Sequence, residues 1–268
     1  MIAWFSRKKK TEAHVSRKDD FVALSSHELR SPLSIIKWYT EILLDEDAGP
    51  LNEEQKRYLT VIENSNQRAI DLVRSLLNVS RLDLGTFSIS PEELSIPDMV
   101  SSMIVSLKSE TLKKNIEIFE EREEALQNIS ADKHLVALII KQPLTNAIAF
   151  SRAGSSITIS TFCVSSGGTV GGMVIPEESI VVSFADTGIG IPEADKSSIF
   201  TKMYRGSNVE DTAGSDSGLG LYVAKTVMNL PQVQGDMWFV STLGQGTTFY
   251  TAFPTKGMKK KEGKTVLE

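Results

Sequence analysis

The chain has 268 residues, of which 29 are lysine or arginine and 34 are aspartate or glutamate, and its formal net charge is −5. This balance gives no electrostatic reason to expect nucleic-acid binding. A single cysteine, Cys163, excludes an internal disulfide, and only three histidines disfavour a histidine-rich metal centre. The longest apolar run, Leu135–Ile140, is far shorter than the ~18 residues of a membrane span. We therefore expect a cytoplasmic protein of one large or two smaller domains.

Both ends of the chain are basic. The N-terminal segment 1–19 starts with the apolar residues Met1–Phe5 and continues with four cations within Arg7–Lys10. We expect it to be solvated, although a weak membrane contact, or the end of a truncated membrane segment, is an alternative. The C-terminal segment 258–268 contains four lysines and is predicted to be a solvated, charged tail. Barely 20 residues precede the first predicted helix, so we expect any sensory input to come from outside this chain.

Residues 20–88 carry the pattern of a helical hairpin. The turn signal Ala48–Pro50 separates two amphipathic stretches, and Asn52 with Gln55 indicates a capping box at the second. In the second stretch, apolar and small residues from Tyr58 to Val79 alternate at four and three positions, which is typical of a coiled-coil seam. A single hairpin exposes such a seam. We therefore predict a homodimer whose two hairpins form a four-helix bundle.

Residues 89–257 alternate between helical and strand-like patterns. This alternation predicts an α+β two-layer sandwich, in which helices cover one face of a sheet. Helices are expected near Asp98–Lys114, Ala131–Ser151 and Gly220–Asn229, and a hairpin tip at Ser165–Gly172. The predicted strands are Ile116–Glu120, Ser156–Val164, Ser179–Ala185, Met237–Ser241 and Thr248–Phe253.

His27 is the first candidate for chemistry. It lies on the side of the predicted helix away from the apolar stripe, and Glu28 is its neighbour. Pro32 removes the backbone donor that would bind the Glu28 carbonyl, so a kink is expected. An exposed imidazole oriented by a carboxylate can act as a nucleophile. An ordinary surface histidine is the alternative.

Two glycine-rich segments form the second candidate. Asp186–Pro192 follows a predicted strand, and Ser217–Leu221 opens a predicted helix. Glycine lets the backbone approach phosphate, and a helix N-terminus offers free N–H groups to anions. Neither segment is a dinucleotide fingerprint, because each lacks the third glycine. Each alone fits an ordinary turn, but together with Asn146, whose amide oxygen suits Mg²⁺, they indicate a divided nucleotide site.

From about Asp20 to Pro254 the chain resembles the transmitter region of a bacterial two-component sensor histidine kinase. Six motifs occur in the order that this family has, which makes the resemblance specific. They are the phosphoacceptor box His27–Leu33, the asparagine box at Asn146–Ile148, the first glycine box Asp186–Pro192, the phenylalanine box at Ile199–Phe200 with Tyr204–Gly206, the second glycine box Ser217–Leu221, and the closing strand motif Gly244–Phe249.

The resemblance implies a gyrase-type ATP-binding fold and a phosphotransfer mechanism. Asp186 would recognise the adenine amino group, Asn146 would hold Mg²⁺, and Thr201–Ser217 would form a mobile lid. The phosphoryl group would pass from ATP to His27, with Glu28 as the orienting base, and then to an aspartate of a response-regulator receiver domain. Ser31 is a candidate for phosphatase activity. Further nucleotide contacts are expected from Gln142, Phe150, Gly188, Gly190, Tyr204, Arg205, Gly218, Leu219, Gly220 and Thr247.

Four positions depart from the family pattern. Gln142 replaces an asparagine, Pro143 interrupts the helical backbone bonding, Ala149 replaces a lysine, and Asp216 replaces a glycine. These changes favour weaker ATP use and leave a degenerate, non-catalytic dimeric signalling scaffold as an alternative. A gyrase- or chaperone-type ATPase is a third reading, but it gives no reason for the His27 hairpin. The cognate regulator, the signal, and the choice between cis and trans phosphorylation stay open.

Overall fold

The computed structural model describes residues 28–209 and 217–267. His27, Asp216 and the basic segment 1–19 lie outside the described residues. The chain divides into two compact units, with the boundary between Thr86 and Phe87. No helix of the described ranges is both long enough and apolar enough to span a membrane.

The first unit contains two helices, α1 (28–44 in its described part) and α2 (Glu53–Leu84). The predicted capping box is confirmed: Asn52 Oδ1 accepts from the Gln55 N–H at 2.8 Å, and Gln55 Oε1 accepts from the Asn52 N–H at 2.9 Å. At its other end, α2 stops at Gly85, which adopts a left-handed conformation with φ 68°. The side chain of Asn66 in α2 donates to the Leu33 carbonyl of α1 at 2.9 Å, so a buried hydrogen bond joins the two helices.

The apolar seam of the helices is exposed to solvent in the single chain. Seven of its large side chains have relative exposures between 37% and 53%. An apolar stripe of this extent on a helical surface marks an interaction site. The seven are Leu29, Ile36, Leu43, Tyr58, Ile62, Leu72 and Leu76.

The second unit is built on a five-stranded mixed sheet in the order β2-β4-β7-β9-β8. Its strands are β2 (Glu117–Arg122), β4 (Ser156–Val164), β7 (Ser179–Asp186), β8 (Asp236–Thr242) and β9 (Gly246–Pro254). β2 runs parallel to β4, and the remaining neighbours are antiparallel. Four helices accompany the sheet in the described part of this unit: α3 (Ile96–Ser106), α4 (Lys108–Lys114), α5 (Lys133–Phe150) and α6 (Gly220–Met228).

The helices cover one face of the sheet, as the α+β prediction requires. α5 packs on β7 and β9, α6 packs on β8, and α3 packs on β2. The side chains of Ile180, Val182 and Phe184 on β7 are completely buried. α5 continues through Pro143, which is itself buried.

Three features of this unit differ from the sequence-based expectation. A short two-stranded sheet joins β1 (Glu92–Leu94) to β3 (Ile129–Ala131), and neither strand was predicted. The helix expected over 98–114 is broken at Leu107 into α3 and α4. The expected hairpin tip is longer and carries its own strands, β5 (Thr169–Val170) and β6 (Met173–Val174).

The second face of the sheet is also covered in part. Val181, Trp238 and Ala252 form an apolar cluster with Ile175, which follows β6. Trp238 stacks on Tyr250 with ring centroids 5.2 Å apart. β7 is therefore buried on both faces, which explains why its sequence is continuously apolar over several residues instead of alternating.

The C-terminal segment does not behave as the solvated tail that its lysines predict. Met258 and Leu267 are buried, with relative exposures of 8% and 1%. The backbone N–H of Met258 donates to the Ser130 carbonyl at 2.7 Å, and that of Lys259 donates to the Gln232 carbonyl at 2.8 Å. The prediction from charge alone was wrong, because the lysines lie between Met258 and Leu267, which pack against the unit.

Candidate functional site

A cavity of about 840 Å³, part of which is open solvent, lies in the second unit. Its walls come from α5, the ends of β7 and β9, the loop after β7, and the segment 204–209. The cavity brings together most of the predicted nucleotide contacts, although they come from distant parts of the sequence. Those that line it are Asn146, Phe150, Asp186, Gly190, Tyr204, Arg205, Gly218 and Thr247.

Asp186 is the last residue of β7 and places a carboxylate at the cavity. Its Oδ1 accepts from the N–H of Gly188 at 2.8 Å and from the N–H of Thr247 at 3.2 Å. Burial raises the pKa of this carboxyl, and the two backbone hydrogen bonds oppose the increase. Within the described ranges no donor binds Oδ2, so this oxygen is an acceptor available to a ligand.

Asn146 lies on α5, where its side chain is bound by Gln142 one turn earlier. Gln142 Nε2 donates to Asn146 Oδ1 at 3.1 Å. Gln142 itself packs against the first residue of α6: a Cβ on Gly220 would lie 1.8 Å from Gln142 Oε1. Gln142 therefore lies behind Asn146 and does not line the cavity. Its longer side chain connects the asparagine box to the second glycine box.

Three other predicted contacts also lie outside the cavity lining. Gly188 supports Asp186 through its N–H, Leu219 is buried with 1% exposure, and Gly220 begins α6 behind the wall. These residues support the cavity and do not form its surface.

The segment 204–209 is held by a carboxylate that the sequence did not single out. Asp195, 4% exposed, accepts from the Tyr204 hydroxyl at 2.7 Å and from the N–H and hydroxyl of Ser207 at 2.6 and 2.9 Å. The Tyr204 hydrogen bond is the largest cause that lowers the pKa of Asp195. The same bond raises the pKa of Tyr204. An ionised Asp195 thus anchors one wall of the cavity.

Two further polar residues were missed by sequence reasoning. Asn208 Nδ2 donates to the Gly190 carbonyl at 3.0 Å, which joins the 204–209 segment to the loop after β7. Ser241 Oγ accepts from the Ile191 N–H at 2.9 Å and lies 2.8 Å from the Thr247 hydroxyl. No periodicity marks these residues. Only their closeness in sequence to family motifs could have suggested them, since Asn208 follows Tyr204–Gly206 and Ser241 precedes Gly244–Phe249.

The C-terminal end of α5 is fixed from outside the cavity. Lys114 Nζ donates to the carbonyls of Ile148 and Ala149 at 3.0 and 2.5 Å, and burial lowers the pKa of this lysine. A cation at a helix C-terminus is favourable. The Phe150 carbonyl then accepts from the Ile189 N–H at 3.3 Å, which links α5 to the loop after β7.

The predicted phosphoacceptor region belongs to the first unit. Glu28 and Ser31 are exposed on α1. His27, the predicted phosphoacceptor, lies just before the described residues, and Asp216 lies in the undescribed stretch 210–216.

Two family models match the chain, one in each unit. Residues 17–85 match the His Kinase A (phospho-acceptor) domain. Residues 131–257 match the histidine kinase-, DNA gyrase B- and HSP90-like ATPase. Between them the models cover more than half of the chain, while residues 1–16, 86–130 and 258–268 lie outside both.

Curated relatives and solved structures agree with these models. The sensor histidine kinase WalK of Bacillus subtilis is 29% identical over 237 residues, which is 88% of this chain and 36% of WalK. The cell-division control histidine kinase PdhS of Brucella suis is 26% identical over 257 residues, 92% of this chain and 24% of PdhS. This chain thus spans only about a third to a quarter of these relatives' length.

Among solved structures, full-length ShkA in complex with AMPPNP has a TM-score of 0.65 at 23% identity, covering 90% of this chain and 47% of ShkA. Histidine kinase ThkA in complex with the response regulator TrrA has a TM-score of 0.57 at 19% identity, covering 94% of this chain and 66% of ThkA. These likenesses show the same fold. The chain belongs to the histidine kinases of two-component systems and contains their transmitter region, a phosphoacceptor domain followed by an ATP-binding domain.

Proposed function

We propose that this chain is an ATP-dependent protein-histidine kinase that phosphorylates its own His27 and passes the phosphoryl group to an aspartate of a response-regulator receiver domain. The observation that carries the proposal is the available Oδ2 of Asp186 in a cavity formed by the glycine boxes. This cavity occurs in a chain that also has a phosphoacceptor domain. The comparisons give no support to a degenerate scaffold.

The cavity offers adenine both a polar and an apolar contact. Asp186 Oδ2 can accept from the exocyclic amino group, while Ile189, Ile191 and Phe249 supply apolar wall on which a purine ring can pack. A few polar groups set in a largely apolar lining are the usual composition of a small-molecule site. The polar contact would select adenine, and the apolar contacts would provide most of the surface area that the purine ring buries.

The phosphate end of the site depends on Asn146 and on cationic or amide groups nearby. An amide oxygen has two lone pairs, and Gln142 uses one of them on Asn146 Oδ1. The other remains for a divalent cation, so the residues present fit Mg²⁺. Bound Mg²⁺ would neutralise charge on the phosphates. Arg205 lines the same cavity and can approach the phosphates, and the N-terminus of α6 starts beside Gly218.

The transfer step needs a nucleophile and a base from the first unit. A ring nitrogen of His27 would attack the γ-phosphorus, forming a P–N bond while the bond to the bridging oxygen of ADP breaks. Glu28 is exposed next to His27 and would accept the imidazole proton. A receiver-domain aspartate would then displace the imidazole.

The phosphatase role of Ser31 and a cytoplasmic location remain predictions.

We also propose that the chain acts as a homodimer. The exposed seam supports this, because seven large apolar side chains on α1 and α2 are 37–53% exposed in a single chain. A second copy presents the same stripe, so a two-fold arrangement buries both seams in a four-helix bundle.

Labelling with γ-³²P ATP and Mg²⁺ tests the proposed activity. The wild-type chain should acquire an acid-labile label, because a phosphoramidate P–N bond hydrolyses in acid. His27→Gln should acquire no label while its nucleotide affinity stays unchanged. Nucleotide binding without any label on the wild type would favour a scaffold, and phosphate release without labelled protein would favour an ATPase. Either result would contradict the kinase proposal.

Asp186→Asn tests adenine recognition. The two N–H donors would hold the amide oxygen in place of Oδ1, so the amide NH₂ would replace Oδ2 and face the adenine amino group with a donor. Losing a hydrogen bond to a charged group costs about 1.5–3 kcal/mol, which lowers nucleotide affinity about tenfold to a hundredfold. Calorimetric titration with ADP measures this loss. Glu193→Gln, on a side chain that is 88% exposed, is the control and should bind like the wild type.

The raised pKa of Asp186 predicts a pH dependence of binding. Burial shifts the folded-state pKa above that of an ordinary aspartate, so the carboxylate is protonated, and lost as an acceptor, at a higher pH than usual. Adenosine affinity should therefore decrease as the pH falls through this raised pKa. Adenosine is the suitable probe because it has no phosphate to titrate. The decrease should be absent in Asp186→Asn; an identical pH profile in both proteins would exclude Asp186 as the titrating group.

Leu72→Glu tests the dimer. A charge in the apolar seam would have to be desolvated on association, so the variant should shift from dimer to monomer by at least tenfold in dissociation constant in sedimentation analysis. Thr60→Glu is the matched control, because it adds the same charge on the opposite side of α2, about 150° from the seam at ~100° per residue. A stable wild-type monomer at micromolar concentration would exclude the proposed assembly.

A further inference from the structure

The C-terminal segment 258–267, which we call the strap, binds the segment 87–89, which we call the linker. The linker follows α2 after Gly85 and Thr86 and leads to β1. The N–H of Ser88 donates to the Thr265 carbonyl at 2.7 Å. Ile89 and Lys261 exchange two backbone hydrogen bonds, of 2.9 and 3.1 Å. The strap therefore pairs with the linker as a short, irregular ribbon between residues up to 177 positions apart in sequence.

Side chains reinforce this pairing. Phe87 and Ile89 of the linker are 1% and 0% exposed, and Leu267 of the strap is 1% exposed. The Lys261 ammonium lies 4.2 Å from the centre of the Phe87 ring and donates to the Phe87 carbonyl. A cation held over an aromatic face and bonded to a carbonyl at the same time is a specific contact. The lysines that predicted a solvated tail therefore include one that fixes the linker.

Gly263 shows how closely the two segments approach. A Cβ at this position would lie 2.2 Å from the Phe87 carbonyl carbon and 2.4 Å from the Ser88 nitrogen. These are backbone atoms, so no side-chain rotation could relieve the overlap. Any side chain at residue 263 would therefore move the strap away from the linker.

The linker connects the two units, so the strap that binds it affects the length of the free connection between them. The last hydrogen bonds of α2 are those of the Gly85 and Thr86 N–H groups, which donate to Leu82 and Arg81 carbonyls. The bonds of Ser88 to the strap follow two residues later. The backbone thus passes from the first unit to the second within about two residues. Without the strap, the connection would extend to Ser90, whose N–H donates to the buried Asp132 carboxylate at 2.8 Å, and would have about four residues.

We propose that the strap is a positioning element for phosphoryl transfer: it fixes the linker to the ATP-binding unit and so keeps the connection to α2 short. This proposal rests on the proposed kinase function. Phosphoryl transfer requires the ATP-binding unit to meet a histidine on the tethered helical unit. The effective concentration of tethered groups falls with about the −3/2 power of tether length, so an increase from about two to about four residues lowers it about threefold.

Gly263→Ala tests the strap directly. The added methyl group should displace the strap, so the amide hydrogens of Ser88 and Ile89 should exchange faster with solvent. The kcat of autophosphorylation should fall about threefold, while ADP affinity and the KM for ATP stay unchanged because the cavity is untouched. Lys264→Ala, at the neighbouring exposed position, is the control and should behave like the wild type.

Leu267→Asp provides a second variant that breaks the strap at its other end, and it should reproduce the effects of Gly263→Ala. Unchanged amide exchange in both variants would overturn the proposal, as would faster exchange with an unchanged or increased kcat. A parallel loss of ADP affinity and thermal stability would show a merely structural role and would also overturn it. If the wild type acquires no label, the kinase proposal fails, whereas the exchange experiment still decides whether the strap holds the linker.

Discussion

The Asp186 carboxylate binds two N–H groups that belong to different parts of the chain, one in the loop after β7 and one on β9. These bonds fix the loop to the middle of the sheet, because β7 lies between β4 and β9. The loop in turn offers the Gly190 carbonyl to Asn208, and Asp195 holds Tyr204 on the same segment. A series of hydrogen bonds thus connects the sheet to the cavity wall.

The two units bury their apolar side chains in different ways. The second unit covers its central strand on both faces, so Val181 and Val182 are equally buried although they point in opposite directions. The first unit has only two helices in its described part, and a pair of helices can bury only the sides that face each other. Its seam is therefore left for a partner surface. A sheet unit that buries its own apolar core and a helical unit whose apolar seam stays exposed suit a protein in which nucleotide binding and assembly are separate tasks.

Local patterns made much of the fold predictable. The capping box of Asn52 and Gln55 and the strand Ser156–Val164 both follow from signals within a few residues, whereas the placement of Asn146 and Asp186 at one cavity was predicted by combining motifs that lie far apart in the sequence. Periodicity, turn residues and motif order report on such short-range structure. The order of the motifs also predicted that distant segments lie together, which no local signal could predict. It could do so because the proteins of this family bring the same motifs together in space.

The features that were not predicted depend on contacts that leave no periodic pattern in the sequence. β1 and β3 have three residues each, too few to show alternation. Asp195 acquires its role only because a loop returns Tyr204 to it. The expected nucleotide contact of Gln142 was displaced for a similar reason, since the start of α6 occupies the space beside it.

The contact between Gln142 and Gly220 has a consequence for how this protein can change over time. The Gln142 amide fills the volume that a side chain at residue 220 would need, because a Cβ there would lie 1.8 Å from its oxygen. A methyl group at residue 220 would therefore require the Gln142 amide to rotate out of this volume and away from Asn146 Oδ1, and a shorter residue at 142 would leave an empty space against the glycine. The two positions form one packing unit in two separate motifs, so the effects of substitutions at them are expected to depend on each other and not to add.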